Sequence, residues 1–208
     1  MCGIVGYIGS DSLVSVLLNG LSKLEYRGYD SAGLALCKDD KIKIYKAEGK
    51  LANLKQLMSS NTDCNNSKIG IGHIRWATHG VPNETNAHPH TSCCQRIALV
   101  HNGIIENYKE LRENLIKKGH KFKSQTDTEI IAHLIEEKLK IHKNFKKAVS
   151  ESLKELQGAY ALGIIFSEEQ DTLFAARKSA PLIVGIGENE NFIASDVPAI
   201  LEYTKQVI

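Results

Sequence analysis

Long hydrophobic runs are absent from this chain of 208 residues. None approaches the roughly 20 apolar residues that a membrane-spanning helix needs. The N-terminus has no basic n-region and no A-x-A-like cleavage site, which excludes a secretory signal. Cys stands at position 2 where N-myristoylation requires Gly. Charge of one sign is scarce as well. The 26 basic and 24 acidic residues leave a net charge of +2, which excludes an electrostatic case for nucleic acid or anionic membrane as the main partner. There is no P-loop, no G-x-G-x-x-G leading from a strand into a helix, no C-x-x-C, no internal repeat and no low-complexity stretch.

What is present is ordinary in bulk: 42% hydrophobic and 24% charged residues, in a chain long enough to bury a core without disulfides or metals. The cysteines are Cys2, Cys37, Cys64, Cys93 and Cys94. An odd number with no framework spacing and no signal peptide reads as free thiols in a reducing, cytoplasmic setting.

Hydrophobic periodicity predicts a buried strand over Gly3–Ile8 and a helix carrying Leu13, Val16, Leu17, Leu21 and Leu24, capped by Asp11 or Ser12. A strand pair is expected over Ala32–Cys37 and Lys41–Lys46, with further strands at Ile69–Arg75 and Ile97–Val100. The polar stretch Asn61–Ser67 reads as a loop. N-G at Asn102 and Gly103 reads as a hairpin turn leading to Ile104–Ile105. Helices follow over Glu106–Lys118, with Gly119 just past the end, and over Phe145–Leu156. T-D-T-E (Thr126–Glu129) reads as a capping box opening a helix with Ile130, Ile131, Leu134 and Ile135. The tail is strand-like: A-Y-A-L-G-I-I-F, T-L-F-A-A, L-I-V-G-I and N-F-I-A. Strands and helices do not alternate regularly, so a mainly antiparallel, layered α+β fold is expected. Ala159–Phe166 reads as a strand covered on both faces.

Four polar stretches interrupt this pattern: E-Y-R-G-Y-D-S-A-G (Glu25–Gly33), R-W-A-T-H-G (Arg75–Gly80), N-A-H-P-H (Asn86–His90) and V-H-N-G (Val100–Gly103). Removal of Met1 would leave Cys2 with a thiol and a free α-amine. An α-amine has a pKa near ~7.7–8.0, so a sizeable fraction is a base near neutral pH and can take the thiol proton. The alternative is an inert small residue heading a strand. The Asn102 amide and the Gly103 N–H can aim two donors at one oxyanion. Arg75 offers a planar fork to a carboxylate, and Asp127 a charge to an ammonium, which together suit a zwitterionic amino acid. Asp127 also suits a helix N-terminus without any ligand. His73, His79, His88, His90 and His101 with Cys93 and Cys94 raise a metal reading. H-x-H followed by C-C has no familiar zinc spacing, so no metal is expected.

These motifs, with C-G-I-V-G, the extended V-H-N-G-I-I-E-N, T-D-T-E and the late F-I-A-S-D, resemble the glutamine-hydrolysing half of the glutamine–fructose-6-phosphate aminotransferases. Those halves are class II, N-terminal-nucleophile glutamine amidotransferase domains. The resemblance runs from Cys2 to the end of the chain. It implies four αββα layers with two mainly antiparallel sheets facing each other, and hydrolysis of L-glutamine through a γ-glutamyl thioester without a cofactor. It implies Cys2 as nucleophile and its α-amine as base, with Asn102 and Gly103 as the oxyanion hole. Arg75 and Asp127 would bind the substrate's α-carboxylate and α-ammonium. Trp76, Thr78, His79 and Gly80 would lie on a loop closing over glutamine. Arg27, His88 and His101 would support the site from behind. R-K-S-A-P (Arg177–Pro181) carries alanine where the family more often has serine. A single domain is expected over 1–208, breaking off near its C-terminal end in a strand-like run. The sugar-phosphate isomerase half, its expected partner, is outside the sequence, and a homo-oligomer is expected of the full-length enzyme. Two rival functions fit the residues: a class II amidotransferase serving another acceptor, and a non-catalytic amino-acid- or metal-binding module.

Overall fold

Strands with apolar side chains on both faces need cover on both faces, and that demand sets the architecture. The computed structural model describes residues 2–10, 12–61, 67–76 and 80–208. Its strands are β1 (Gly3–Ile8), β2 (Ser31–Lys38), β3 (Lys41–Glu48), β4 (Ile69–Arg75), β5 (His90–Thr91), β6 (Ile97–Ile105), β7 (Gly158–Phe166), β8 (Phe174–Lys178), β9 (Ile183–Ile186), β10 (Asn191–Ala194) and β11 (Gln206–Val207). Its α-helices are α1 (Leu13–Ser22), α2 (Leu51–Ser59), α3 (Tyr108–Lys117), α4 (Glu129–His142) and α5 (Phe145–Glu155). The first sheet has the order β11-β9-β10-β1-β4-β2-β3 and the second β5-β6-β7-β8, with antiparallel neighbours throughout.

Three apolar interfaces separate four layers. Helices α1 and α2 place Leu17, Leu21, Leu51 and Leu54 against Val5, Tyr7, Leu34 and Leu36 of the first sheet. The other face of that sheet presents Ile4, Ala35, Ile69 and Ile71 to Ala98, Val100, Ala161 and Ile165 of the second sheet. The far face of the second sheet, with Leu99, Leu162 and Ile164, is covered by α3, α4 and α5 through Leu111, Ile131 and Phe145. Side chains alternate along a strand, so each central strand feeds two of these interfaces at once. The expected αββα stack of two antiparallel sheets is what forms.

Two local expectations fail and one helix goes unanticipated, each for a physical reason. Asn102-Gly103 is no hairpin turn. β6 runs unbroken and pairs with β7 from Ile97↔Phe166 to Ile105↔Gly158. A two-residue turn of that type needs positive φ at both positions, and only Gly103 has it (φ 127°). T-D-T-E is no capping box either: the Glu129 carboxylate takes Lys123 N (2.8 Å), Ser124 N (2.6 Å) and Ser124 Oγ (2.6 Å), and the helix starts at Glu129 itself. Helix α2 escapes the periodicity reading. Only Leu51, Leu54 and Met58 of its nine residues are buried, and its N-cap Lys50 offers no capping signal. Residues 62–66 of the expected Asn61–Ser67 loop, and Asp11 as a cap, lie outside the described residues. Ser12 holds the N-cap position of α1 but makes no side-chain capping bond. Among the described residues, no helix is long and apolar enough to cross a membrane.

Ile71 is fully buried between the sheets. Ile71→Ala should lower unfolding free energy by about 2–5 kcal/mol, read from urea denaturation, because the facing strands cannot collapse onto the cavity.

Candidate functional site

The period of two that builds the inter-sheet core also builds the site. On β4, Ile69 and Ile71 face the second sheet, and the same alternation carries His73 and Arg75 onto that face. On β6, Ala98 and Val100 face back, and Asn102 continues their row. On β1, Ile4 is in the same layer and Cys2 is the next position on its face. At this end of the sandwich the apolar interface therefore turns polar. A cavity of about 480 Å³ opens there, lined by Cys2, Arg27, Arg75, Trp76, His88, His101, Asn102, Gly103, Ile104, Thr126, Asp127, Thr128 and Ser179–Pro181.

Cys2 is held from three sides. Its Sγ accepts from Trp76 N (3.2 Å) and lies 3.4 Å from Trp76 O. Its carbonyl accepts from Asn102 Nδ2 (3.2 Å) and from Arg27 Nη1 (3.3 Å). Arg27 in turn pairs with Asp196 (2.7 Å) and donates to Ser195 O (3.4 Å). Ser195 Oγ accepts from Ile4 N (3.0 Å), so the late S-D pair pins the start of β1. Burial pushes the Cys2 thiol pKa up, and the Trp76 N–H and the Arg75 charge only partly offset it.

Asn102 is oriented by a residue that sequence reasoning placed only in a metal grouping. His73 Nε2 lies 3.0 Å from His101 O and 2.9 Å from Asn102 Oδ1. A carbonyl only accepts, so Nε2 carries the proton and its other contact must be the amide oxygen. The Asn102 NH2 is thereby directed to Cys2. Gly103 follows it; a Cβ there would stand 2.0 Å from Ala159 O, so only glycine permits this approach. Gly28 serves similarly beneath Trp76, whose ring would lie 2.2 Å from an added Cβ.

Arg75 Nη2 donates to Gly80 O (3.1 Å), Nη1 donates to Val81 O (3.5 Å), and Asp30 lies 3.7 Å away. Asp127 is buried in the wall, where Oδ2 accepts from Ile105 N (2.8 Å). Thr128 Oγ1 meets His101 Nδ1 (2.9 Å) and His88 Nε2 (3.4 Å). Thr126 Oγ1 meets His90 Nε2 (3.2 Å). Thr126, Asp127 and Thr128 thus each have a tertiary partner. His88 also stacks on His73 and accepts from His101 N (3.3 Å). Asn86 ties Val81 O (3.0 Å) to Gln125 N (2.8 Å). The expected residues Cys2, Arg27, Arg75, Trp76, His88, His101, Asn102, Gly103 and Asp127 therefore share one cavity, with Gly80 against Arg75. Thr78 and His79 lie outside the described residues. Sequence reasoning missed His73, Ile104, Thr126 and Thr128. The strand alternation from Ile69 was the available signal for His73. Ala180 of the divergent R-K-S-A-P stretch is on the cavity wall.

Desolvation drives the His73 pKa down to about 3 and holds His88 and His90 well below the ordinary value. These imidazoles are neutral at physiological pH.

The description "Glutamine amidotransferase domain" matches residues 73–202. Over 208 residues, all of this chain, identity is 54% to the glutamine–fructose-6-phosphate aminotransferase (isomerizing) of Pyrococcus horikoshii and 52% to that of Thermococcus kodakarensis. The match covers 34% of each relative, so the chain spans about a third of their length. The solved glutamine phosphoribosylpyrophosphate amidotransferase from B. subtilis, complexed with ADP and GMP, is similar over 98% of this chain and 44% of that one, with TM-score 0.83 and 29% identity. A glutamine aminotransferase class-II domain protein from Silicibacter pomeroyi, at 15% identity and TM-score 0.58 over 98% of this chain and 90% of that one, shares the fold.

Lowering the pH should unfold the chain early. The unfolded histidines bind protons below about 6.5, whereas buried His73 does so only near 3. Over that window the unfolded state holds more protons, so stability is full above it and falls as pH falls. His133 opposes this: burial lowers its pKa, but Glu129 and Glu136 more than offset that. Urea midpoints measured from pH 7.5 to 4.5 should decline across this range, and His73→Phe should flatten the decline.

Proposed function

The chain belongs to the glutamine amidotransferase domain family, and on that premise we propose that its cavity hydrolyses L-glutamine with Cys2, freed at the N-terminus by removal of Met1, as the nucleophile. The observation that carries the reading is the convergence on one thiol. Cys2 Sγ rests on Trp76 N at 3.2 Å, Asn102 crosses from the other sheet, and Arg75 and Asp127 line the same cavity.

In this reading the α-amine of Cys2 takes the thiol proton, which burial holds tightly until a base is beside it. The thiolate attacks the side-chain carboxamide and the C=O electrons move to oxygen. That oxyanion meets the Gly103 N–H and the second hydrogen of Asn102 Nδ2, the first being on the Cys2 carbonyl. The α-ammonium returns its proton to the leaving nitrogen, the C–N bond breaks, and ammonia departs. Water then cleaves the γ-glutamyl thioester to give glutamate and restore the thiol. Arg75 takes the substrate α-carboxylate and Asp127 its α-ammonium, while Trp76, Thr78, His79 and Gly80 cover the bound amino acid. Arg27 holds the Cys2 carbonyl, and His88 and His101 brace Thr128. In the full-length protein the ammonia passes to fructose 6-phosphate bound by a sugar-phosphate isomerase half. The names and greater length of the relatives at 54% and 52% identity support that acceptor.

The purified chain should show loss of Met1 by mass spectrometry and release glutamate and ammonia from glutamine with no sugar present. Cys2→Ala should abolish release; full activity in that variant, or activity with Met1 retained, would overturn the reading. Asn102→Ala should cost about 10²–10³ in kcat. Asp127→Asn keeps an acceptor for Ile105 N but loses the charge. It should raise KM for glutamine about 10–100-fold, the worth of a charge-assisted hydrogen bond, with a smaller change in kcat.

A further inference from the structure

A second cluster of chemistry-bearing side chains lies apart from the cavity, where the helical layer meets the outer edge of the second sheet. Cys93 comes from the loop between β5 and β6, and His120 from the segment after α3. His133 and Glu136 come from one face of α4. One donor atom from each lies within 4.8 Å of all the others. None of the four lines the cavity. We propose that Cys93, His120, His133 and Glu136 form a tetrahedral binding site for one divalent transition-metal ion, with Zn²⁺ the best fit.

The separations carry the argument. Donors placed about 2.0–2.3 Å from a tetrahedral zinc lie about 3.3–3.8 Å from one another. Here Cys93 Sγ is 3.6 Å from His133 Nδ1, and His133 Nδ1 is 3.1 Å from His120 Nδ1. His120 Nδ1 is 3.3 Å from Glu136 Oε2, and that oxygen is 4.0 Å from His133 Nδ1. These four separations run from 3.1 to 4.0 Å and none in the cluster exceeds 4.8 Å, so small side-chain adjustments would seat one ion at the centre. Their mixture of sulfur, nitrogen and oxygen suits Zn²⁺ and disfavours Ca²⁺ or Mg²⁺, which take oxygen.

The surroundings are those of metal-binding histidines. His120 Nε2 lies 2.8 Å from Glu137 Oε1, and His133 Nε2 faces Glu129 Oε1 at 3.5 Å. Each imidazole therefore has a carboxylate behind it and turns Nδ1 inward, the arrangement that fixes the tautomer of a ligating histidine. The two inward Nδ1 atoms and the Glu136 carboxylate converge on one point, where a cation would find three ligand atoms. Glu136 is itself fixed, its Oε1 accepting from Cys94 N (2.8 Å), and Cys93 Sγ accepts from Lys121 N (3.4 Å). The two histidines and Glu136 are buried, whereas Cys93 is exposed and gives the ion a route from solvent. Binding forms a metal–sulfur bond and releases the Cys93 thiol proton to water. The ion would fasten two loops onto α4, away from the residues that line the cavity.

The test uses the full chain, stripped with chelator, dialysed and titrated with Zn²⁺ or Co²⁺. Elemental analysis should find one zinc per chain, the melting temperature should rise with zinc, and Co²⁺ should give a thiolate charge-transfer band. Cys93→Ser, at an exposed position, should keep the wild-type far-ultraviolet spectrum and lose the band, the zinc and the thermal shift. Cys94→Ser should keep all three. Glu137→Gln should weaken zinc binding about 10–100-fold. Failure to take up zinc or cobalt at micromolar excess would overturn the proposal, and would leave a protonated imidazole as the cation holding the cluster together. So would uptake unchanged in both Cys93→Ser and Glu136→Gln, which would place the ion elsewhere.

Discussion

One buried imidazole joins the two sheets where the site lies: His73 Nε2 of β4 donates to His101 O (3.0 Å) and Asn102 Oδ1 (2.9 Å) of β6. The amide it orients donates onward to the Cys2 carbonyl at 3.2 Å. Three strands from two sheets are thereby locked at one end of the sandwich. This works because the rest of the interface is apolar and small. Ala35, Ala98 and Ala161 let the sheets approach, with Ile4, Ile71 and Val100 filling the space. A slip of one residue in either sheet would turn His73, Arg75 or Asn102 onto the wrong face.

That end of the interface carries buried polar groups, many of which pair with one another. His73, His88 and His90 are neutral, and with His101 they form a cluster braced by Thr126 and Thr128. Neutrality matters because Arg75 lies beside them, and a charged imidazole there would meet both desolvation and repulsion. The same segment ends in Glu129, whose carboxylate stabilises the loop before α4. One face of α4 then supplies His133 and Glu136 to the proposed metal site. A single stretch, residues 126–136, therefore serves both the cavity wall and the outer cluster.

Much of this was legible in the residues. The strand over Gly3–Ile8, helix α1, β4 and the two-sided β7 follow from periodicity. The motif order led to every expected site residue that the structure describes around the cavity. The failures share a cause. N-G and T-D-T-E have local meanings, as turn and cap, that other partners override: Asn102 is bound to His73 and Cys2 across the sheets, and Glu129 to Ser124 and Lys123 in the loop before α4. His73 looked like a candidate ligand grouped with Cys93, yet the fold places them in different layers.

The sequence by itself determined which faces are apolar and which residue types hold the chemistry, because alternation along a strand and spacing along a helix are local properties. Only the tertiary structure decided which faces meet. Cys2 and Asn102 are 100 positions apart, and Cys93 and His133 are 40 apart. No local rule brings either pair together. The inter-sheet packing that buries Ile4 against Val100 places the first pair, and the helical layer over the second sheet places the second.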